Sequence, residues 1–116
     1  MSGPVGPYTP VVRAGDWLVV SGQLGLLDGA LVPGGTAVQL TQAIANLSTL
    51  LAGEHASLDQ VTKTTVFLAD IGDYAEMNAA YVAAFGEHRP ARSAVAVAGL
   101  PMGADVEIEA WVWVGN

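Results

Sequence analysis

The chain has no cysteine, which excludes a disulfide framework and any thiolate-held metal. Its two histidines, His55 and His88, are too few for an imidazole metal site without several carboxylates beside them. Positive charge is nearly as scarce. Arg13, Lys63, Arg89 and Arg92 stand against 11 acidic residues, for a formal net charge of −7. Nucleic-acid binding draws its free energy largely from Lys and Arg neutralising phosphates, so four scattered cations on an acidic body argue against a nucleic-acid partner. An anion that binds here is small and held at one particular cation. No apolar run approaches the roughly 20 residues a membrane helix needs, and the first residues carry neither the basic nor the hydrophobic region of a secretory signal. A cytoplasmic protein without a membrane partner is therefore expected. Also missing are a Gly-rich phosphate loop, a G-x-S-x-G nucleophile elbow and an H-E-x-x-H zinc helix, so neither a metal nor a cofactor is expected.

Apolar residues, by contrast, are in excess. They make up 52% of the chain while charged residues make up 13%, against about 25% charged in ordinary soluble domains. A chain of 116 residues has room for one domain, spanning 1–116. A small domain with so much apolar and so little charged surface is expected to cover part of it with copies of itself, as a homo-oligomer.

The opening, Met1 to Pro10, is rich in Gly and Pro and reads as irregular chain or a short edge strand. Trp17 to Ser21 reads as a strand ending at Gly22. Asp28-Gly29, set between apolar residues 26–27 and 30–32, marks a tight hairpin. Thr36 with Gln39 three residues on matches a capping box, and Leu40, Ile44, Leu47 and Leu51 follow as one helical stripe ending at Gly53. Residues 61–68 form a β-branched strand, with Thr62, Thr64, Val66 and Leu68 on one face and Val61, Lys63, Thr65 and Phe67 on the other. A second helix is expected from about Asp73, with Glu76 completing another capping pattern, to about Gly86. Its buried stripe would be Tyr74, Met77, Tyr81 and Ala84 or Phe85. Arg92 to Ala98 and Val106 to Val114 read as closing strands, with Glu107, Glu109, Trp111 and Trp113 sharing one face of the last. Met77 and Met102 read as packing residues. The order β-β-β-α-β-α-β-β implies an α+β fold: a single mixed sheet with both helices packed on one face. The bare sheet face would then meet another subunit.

Arg92 is the strongest candidate for chemistry. A guanidinium grips a carboxylate through two parallel hydrogen bonds, and few other cations compete for the task. A strand-end arginine paired with a surface carboxylate would look the same in sequence. Glu107 and Glu109 can do acid–base work, because crowding raises the proton affinity of one of two neighbouring carboxylates; a solvated rim, or pairing with Lys63 or Arg92, is the plainer alternative. Tyr8 either leans over a cleft or plugs the N-terminal segment onto the sheet. His55 and His88 read as loop residues. From these residues alone no reaction follows.

The ordered pieces Gly6-Pro7-Tyr8, Val20-Ser21-Gly22-Gln23, Val61-x-Lys63-Thr64-Thr65-Val66-Phe67-Leu68, Asn78-x-x-Tyr81, Pro90-Ala91-Arg92-Ser93 and Val106-Glu107-Ile108-Glu109-Ala110 resemble the signature of the Rid family, the YjgF-like or RidA-type enamine/imine deaminases. The resemblance covers nearly the whole chain. It implies a chorismate-mutase-like, YjgF-like fold assembled as a homotrimer with clefts between subunits. It also implies a hydrolase acting on C–N bonds, converting 2-aminoacrylate and its imine (2-iminopropanoate) to a 2-keto acid and ammonia. By position, Arg92 matches the carboxylate-binding arginine and Glu107 the acid that positions the attacking water. Tyr8, Ser21 and Gly22 match the pocket lining. Two places depart from the family pattern: Thr9-Pro10-Val11 stands where Ser-Gln-Ala is usual, and Ala94 where many members carry cysteine or another larger residue. Other readings of the resemblance are a trimer that binds small carboxylates or acts like a chaperone without turnover, a dedicated catabolic hydrolase, and, disfavoured by the charge, an endoribonuclease.

Overall fold

The computed structural model describes residues 6–116; the first five residues of the opening segment lie outside the described residues. From Gly6 to Pro10 the chain bends without regular structure, and the edge strand that follows is β1 (Val11–Ala14). It pairs with β2 (Trp17–Gln23). A small hairpin, β3 (Leu26–Leu27) and β4 (Ala30–Leu31), comes next. Then follow α1 (Thr36–Gly53), β5 (Val61–Leu68), α2 (Tyr74–Phe85), β6 (Ala91–Ala96) and β7 (Val106–Trp113).

The main sheet has five strands in the order β1-β2-β7-β5-β6. Its pairs are antiparallel except β5 with β6, which are joined through α2, the crossover that a parallel pair requires. The sheet is therefore mixed, as expected. The hairpin differs from expectation in forming its own two-stranded sheet. Asp28 and Gly29 both have positive φ, 53° and 84°, as a two-residue turn between twisted strands demands. Asn46 of α1 donates to the carbonyls of Leu24 and Leu26 and so holds the hairpin against that helix.

Both helices cover one sheet face. Leu40, Ile44, Leu47 and Leu51 of α1 and Met77, Tyr81 and Phe85 of α2 join Val106, Ile108, Ala110 and Val112 of β7 in the core. Alternation along β7 leaves Glu107, Glu109, Trp111 and Trp113 on the opposite, uncovered face. There Trp17 meets Trp111 and Trp113 edge-on, at ring-centroid distances of 6.1 and 5.1 Å. Trp111 is 45% exposed and Trp113 40%. With Val12 and Val95, also exposed, they form an apolar surface that no element among the described residues covers, the kind that marks an interface.

Four expectations need correction. The alternation along β5 breaks at its start: a register shift between Val61 and Lys63 turns Val61 into the core and Thr62 outward. Neither capping box forms. Gly35 precedes α1, and no side chain caps it locally. Instead, Glu76 accepts from the Ala37 amide at 2.8 Å, and Thr36 Oγ1 donates to Asp73 at 2.9 Å. Glu76 of α2's first turn and Asp73 just before it thus serve α1's N-terminus, where backbone donors lack partners and negative charge is favoured. Gln39 is diverted as well, bonding Asp105 through both its amide atoms. Tyr74 is exposed rather than part of the buried stripe, where Ala80 stands instead. Met102 is 50% exposed, at a positive φ of 60°.

Candidate active site

Glu107 points to the uncovered face of the sheet from β7, opposite Phe67 of β5. On its other side lies β2, whose pairing with β7 is irregular between Val20 and Gln23; such irregularities commonly re-aim side chains beside sites. Gly22 sits in that stretch. A Cβ there would lie 2.6 Å from Glu107 Oε2, so glycine is what allows the carboxylate to lie over the β2 backbone. Burial raises the Glu107 pKa above the ordinary carboxylate value, and the neighbouring Glu109 charge adds to the rise. A carboxyl group with raised proton affinity is suited to passing protons near neutral pH.

Ser21, next to Gly22, ties down the N-terminal segment. Its hydroxyl donates to the Thr9 carbonyl at 2.7 Å and its amide to the Pro10 carbonyl at 2.9 Å. Tyr8, the next residue back, is 41% exposed. Three of the pocket residues expected from sequence therefore stand on one stretch of structure with Glu107: Gly22 in contact with it, Ser21 adjacent, and Tyr8 on the segment that Ser21 holds.

Arg92 is not with them. It lies on edge strand β6 opposite Thr64, on the side of the sheet that carries the helices. Its Nη2 donates to the Tyr74 hydroxyl at 3.1 Å, and Nη1 approaches the Met77 sulfur at 3.6 Å. The guanidinium carbon stands 4.9 Å from the Tyr81 ring centroid and 5.7 Å from that of Tyr74. Tyr81 is fixed beneath it by a buried 2.8 Å hydrogen bond with Thr64, and burial raises the Tyr81 pKa. Aromatic faces stabilise the cation without neutralising it. One position beyond Met77, Asn78 Oδ1 is buried without a partner.

Arg92 and Glu107 thus sit on opposite faces. Their β5 partners, Thr64 and Phe67, are three positions apart. That places them about 10 Å apart along the strands and about 10 Å across two strand spacings. One chain cannot close both side chains on a small molecule. The other polar candidates have plainer roles: Lys63 donates to the Thr64 carbonyl, Thr65 and Ser93, and His88 bonds the Val61 carbonyl. Among the described residues, no group of three or more His, Cys, Asp or Glu could hold a metal ion, and no helix is long and apolar enough to cross a membrane. Sequence reading missed Tyr74 as Arg92's partner, because its spacing on α2 is that of a core residue.

The raised Glu107 pKa has a consequence for stability. Between the ordinary carboxylate pKa of 4.5 and the raised value, the folded chain holds a proton that the unfolded chain has released. Stability contributed by the protonated form is therefore lost as pH rises through that window. Glu107→Gln is expected to be more resistant to urea than the parent at pH 7, at equal protein concentration. The difference should vanish near pH 3.5. Equal urea midpoints at pH 7 would show that the carboxylate is not desolvated in solution.

The fold and the arrangement of these residues define a class: small α+β domains of the YjgF type, with a mixed sheet, two helices on one face and, on the face that the described residues leave bare, an acid beside a glycine. The family model described as Endoribonuclease L-PSP matches residues 2–114, and the chain belongs to that family, which comprises the YjgF and RidA proteins. Among its relatives, the mouse protein named 2-iminobutanoate/2-iminopropanoate deaminase is 43% identical over 108 residues, covering 91% of this chain and 80% of its own length. Protein HMF1 of Saccharomyces cerevisiae is 42% identical over 104 residues, covering 89% and 81%. Of solved structures, E. coli TdcF with bound serine superposes with a TM-score of 0.91 at 32% identity, covering 97% of this chain and 92% of that one.

Proposed function

We propose that the chain is an enamine/imine deaminase of the 2-iminopropanoate type, a hydrolase whose active site forms between subunits of a homotrimer. Arg92 of one subunit faces Glu107, Gly22, Ser21 and Tyr8 of a neighbour. The observation that carries this reading is the Glu107 carboxylate, laid over Gly22 with raised proton affinity on a sheet face that the described residues leave uncovered. The deaminase name of the mouse relative and the serine bound by TdcF support a substrate of amino-acid type with a free carboxylate. The uncovered tryptophan surface supports assembly.

In this mechanism Arg92 binds the substrate carboxylate and so places the adjacent C=N carbon beside a water held by Glu107. The water oxygen bonds to that carbon as Glu107 takes one of its protons. Glu107 passes that proton to the imine nitrogen, giving a neutral carbinolamine. On collapse the C–N bond breaks as Glu107 carries the hydroxyl proton to the departing nitrogen, and ammonia and the 2-keto acid leave. An enamine enters by first becoming its imine tautomer. Imines hydrolyse readily in water, so positioning and proton transfer need supply only a few orders of magnitude.

The test couples an amino-acid oxidase or a serine/threonine dehydratase to the protein and follows keto-acid release. Faster release on adding the protein is the expected result. If no amino acid gives acceleration while small carboxylates still bind, the cleft is a binding site without turnover. RNA cleavage, which the family description names, has little support in a chain of net charge −7 with four cations.

A further inference from the structure

Arg92 has an unusual companion in Tyr74. The phenol accepts from Arg92 Nη2 at 3.1 Å, and Tyr74 is 42% exposed, so the hydroxyl is held at Arg92 on a residue that solvent reaches. A phenol that accepts one hydrogen bond still has its own proton to donate. That proton is set beside the guanidinium, where an arriving carboxylate oxygen would lie. We propose that Tyr74 is a second ligand for the substrate carboxylate, its hydroxyl donating to the oxygen that Arg92 also grips. The proposal rests on the deaminase reading only in taking Arg92 as the carboxylate anchor.

The surroundings support this geometry. Tyr81 supports the guanidinium through its ring and is itself locked by Thr64, so the cation that Tyr74 bonds is held in place. Met77 sulfur, at 3.6 Å, is a weak acceptor and leaves Nη1 with little to lose when a carboxylate displaces it. An Arg–Tyr pair also suits the chemistry: the neutral phenol adds a donor to the oxygen that the guanidinium grips without adding a second charge that would have to be desolvated.

The test measures binding of 2-oxobutanoate, a 2-keto acid of product type, to the purified assembled protein by calorimetry or NMR titration at pH 6. The parent is compared with Tyr74→Phe and Arg92→Ala. Tyr74→Phe keeps the ring over Arg92 and removes only the hydroxyl; it is expected to bind roughly 10- to 100-fold more weakly, the range for one hydrogen bond to a charged group, with an unchanged melting temperature. A second variant separates direct binding from mere support of Arg92. 3-Fluorotyrosine at position 74 makes the hydroxyl a stronger donor and a weaker acceptor, so affinity should hold or improve. Weaker binding with fluorotyrosine, or Tyr74→Phe within about twofold of the parent, would overturn the proposal while leaving Arg92 as the anchor. A parent protein that binds no 2-oxobutanoate would remove both.

Discussion

Arg92→Ala lowers keto-acid release from carboxylate-bearing imines by about two to four orders of magnitude in kcat/KM, the scale of losing a desolvated charge partner. The size of the effect follows from the lack of a substitute. Arg89 is folded back onto the Gly86 and His88 carbonyls, and Arg13 donates to the Gly15 carbonyl at the far edge strand. Lys63 points to the other face, bonded to Thr65 and Ser93. Among the described residues, no second cation stands where Arg92 does. Arg92→Lys keeps the charge but loses the planar fork and most of the stacking on Tyr81, so it recovers only part of the rate. Folding is not the explanation for the loss, because Arg92 is a half-buried residue at a sheet edge whose stacking contributes about 0.5–2 kcal/mol. Circular dichroism and the melting temperature of the variant check this directly. A kcat/KM within about threefold of the parent removes Arg92 from the mechanism.

Much of the architecture is legible in the sequence because it depends on short-period patterns. Leu40, Ile44, Leu47 and Leu51 recur at helical spacing and are all buried. Val106, Ile108, Ala110 and Val112 alternate with Glu107, Glu109, Trp111 and Trp113, and the structure sorts them onto two faces. Asp28-Gly29 makes the turn its chemistry demands. What is not legible depends on partners distant in the chain. Thr36 and Gln39 have the spacing of a local cap, yet the carboxylates that serve α1 come from residues 37 and 39 positions away, just before α2 and in its first turn, and a local pattern cannot report a competitor of that kind. The bulge at Val61–Lys63 reverses alternation at one end of β5 with no turn residue to announce it. Gly22 is explained only by Glu107, which comes 85 positions later and lies against it only once β2 and β7 pair. The candidate residues themselves could be chosen from sequence. Their division between two sheet faces could not, because alternation within a strand says nothing of the polarity of one strand relative to another until the pairing is known.

That division leads to the second large effect. Arg92→Ala and Glu107→Gln subunits, each inactive alone, are expected to regain activity when unfolded together and reassembled. If every cleft takes its arginine from one subunit and its glutamate from the next, random equal mixing leaves about a quarter of the clefts with both native residues, since each is supplied independently with a chance of about one half around a cyclic assembly. Activity should therefore recover to about a quarter of the parent's, from a starting level at least about a hundredfold below it. The physical ground is the geometry of a single chain: Arg92 rests among Tyr74, Met77 and Tyr81 on the helix side, while Glu107 lies over Gly22 on the uncovered side. Separate reassembly of each variant provides the control, and size-exclusion chromatography of the mixture verifies that the oligomer has reformed. If reassembled mixtures stay as inactive as their components, both residues act from the same subunit. The chain would then have to rearrange on assembly by enough to carry Arg92 around the edge of β6, and the tyrosine cradle seen here would have to open.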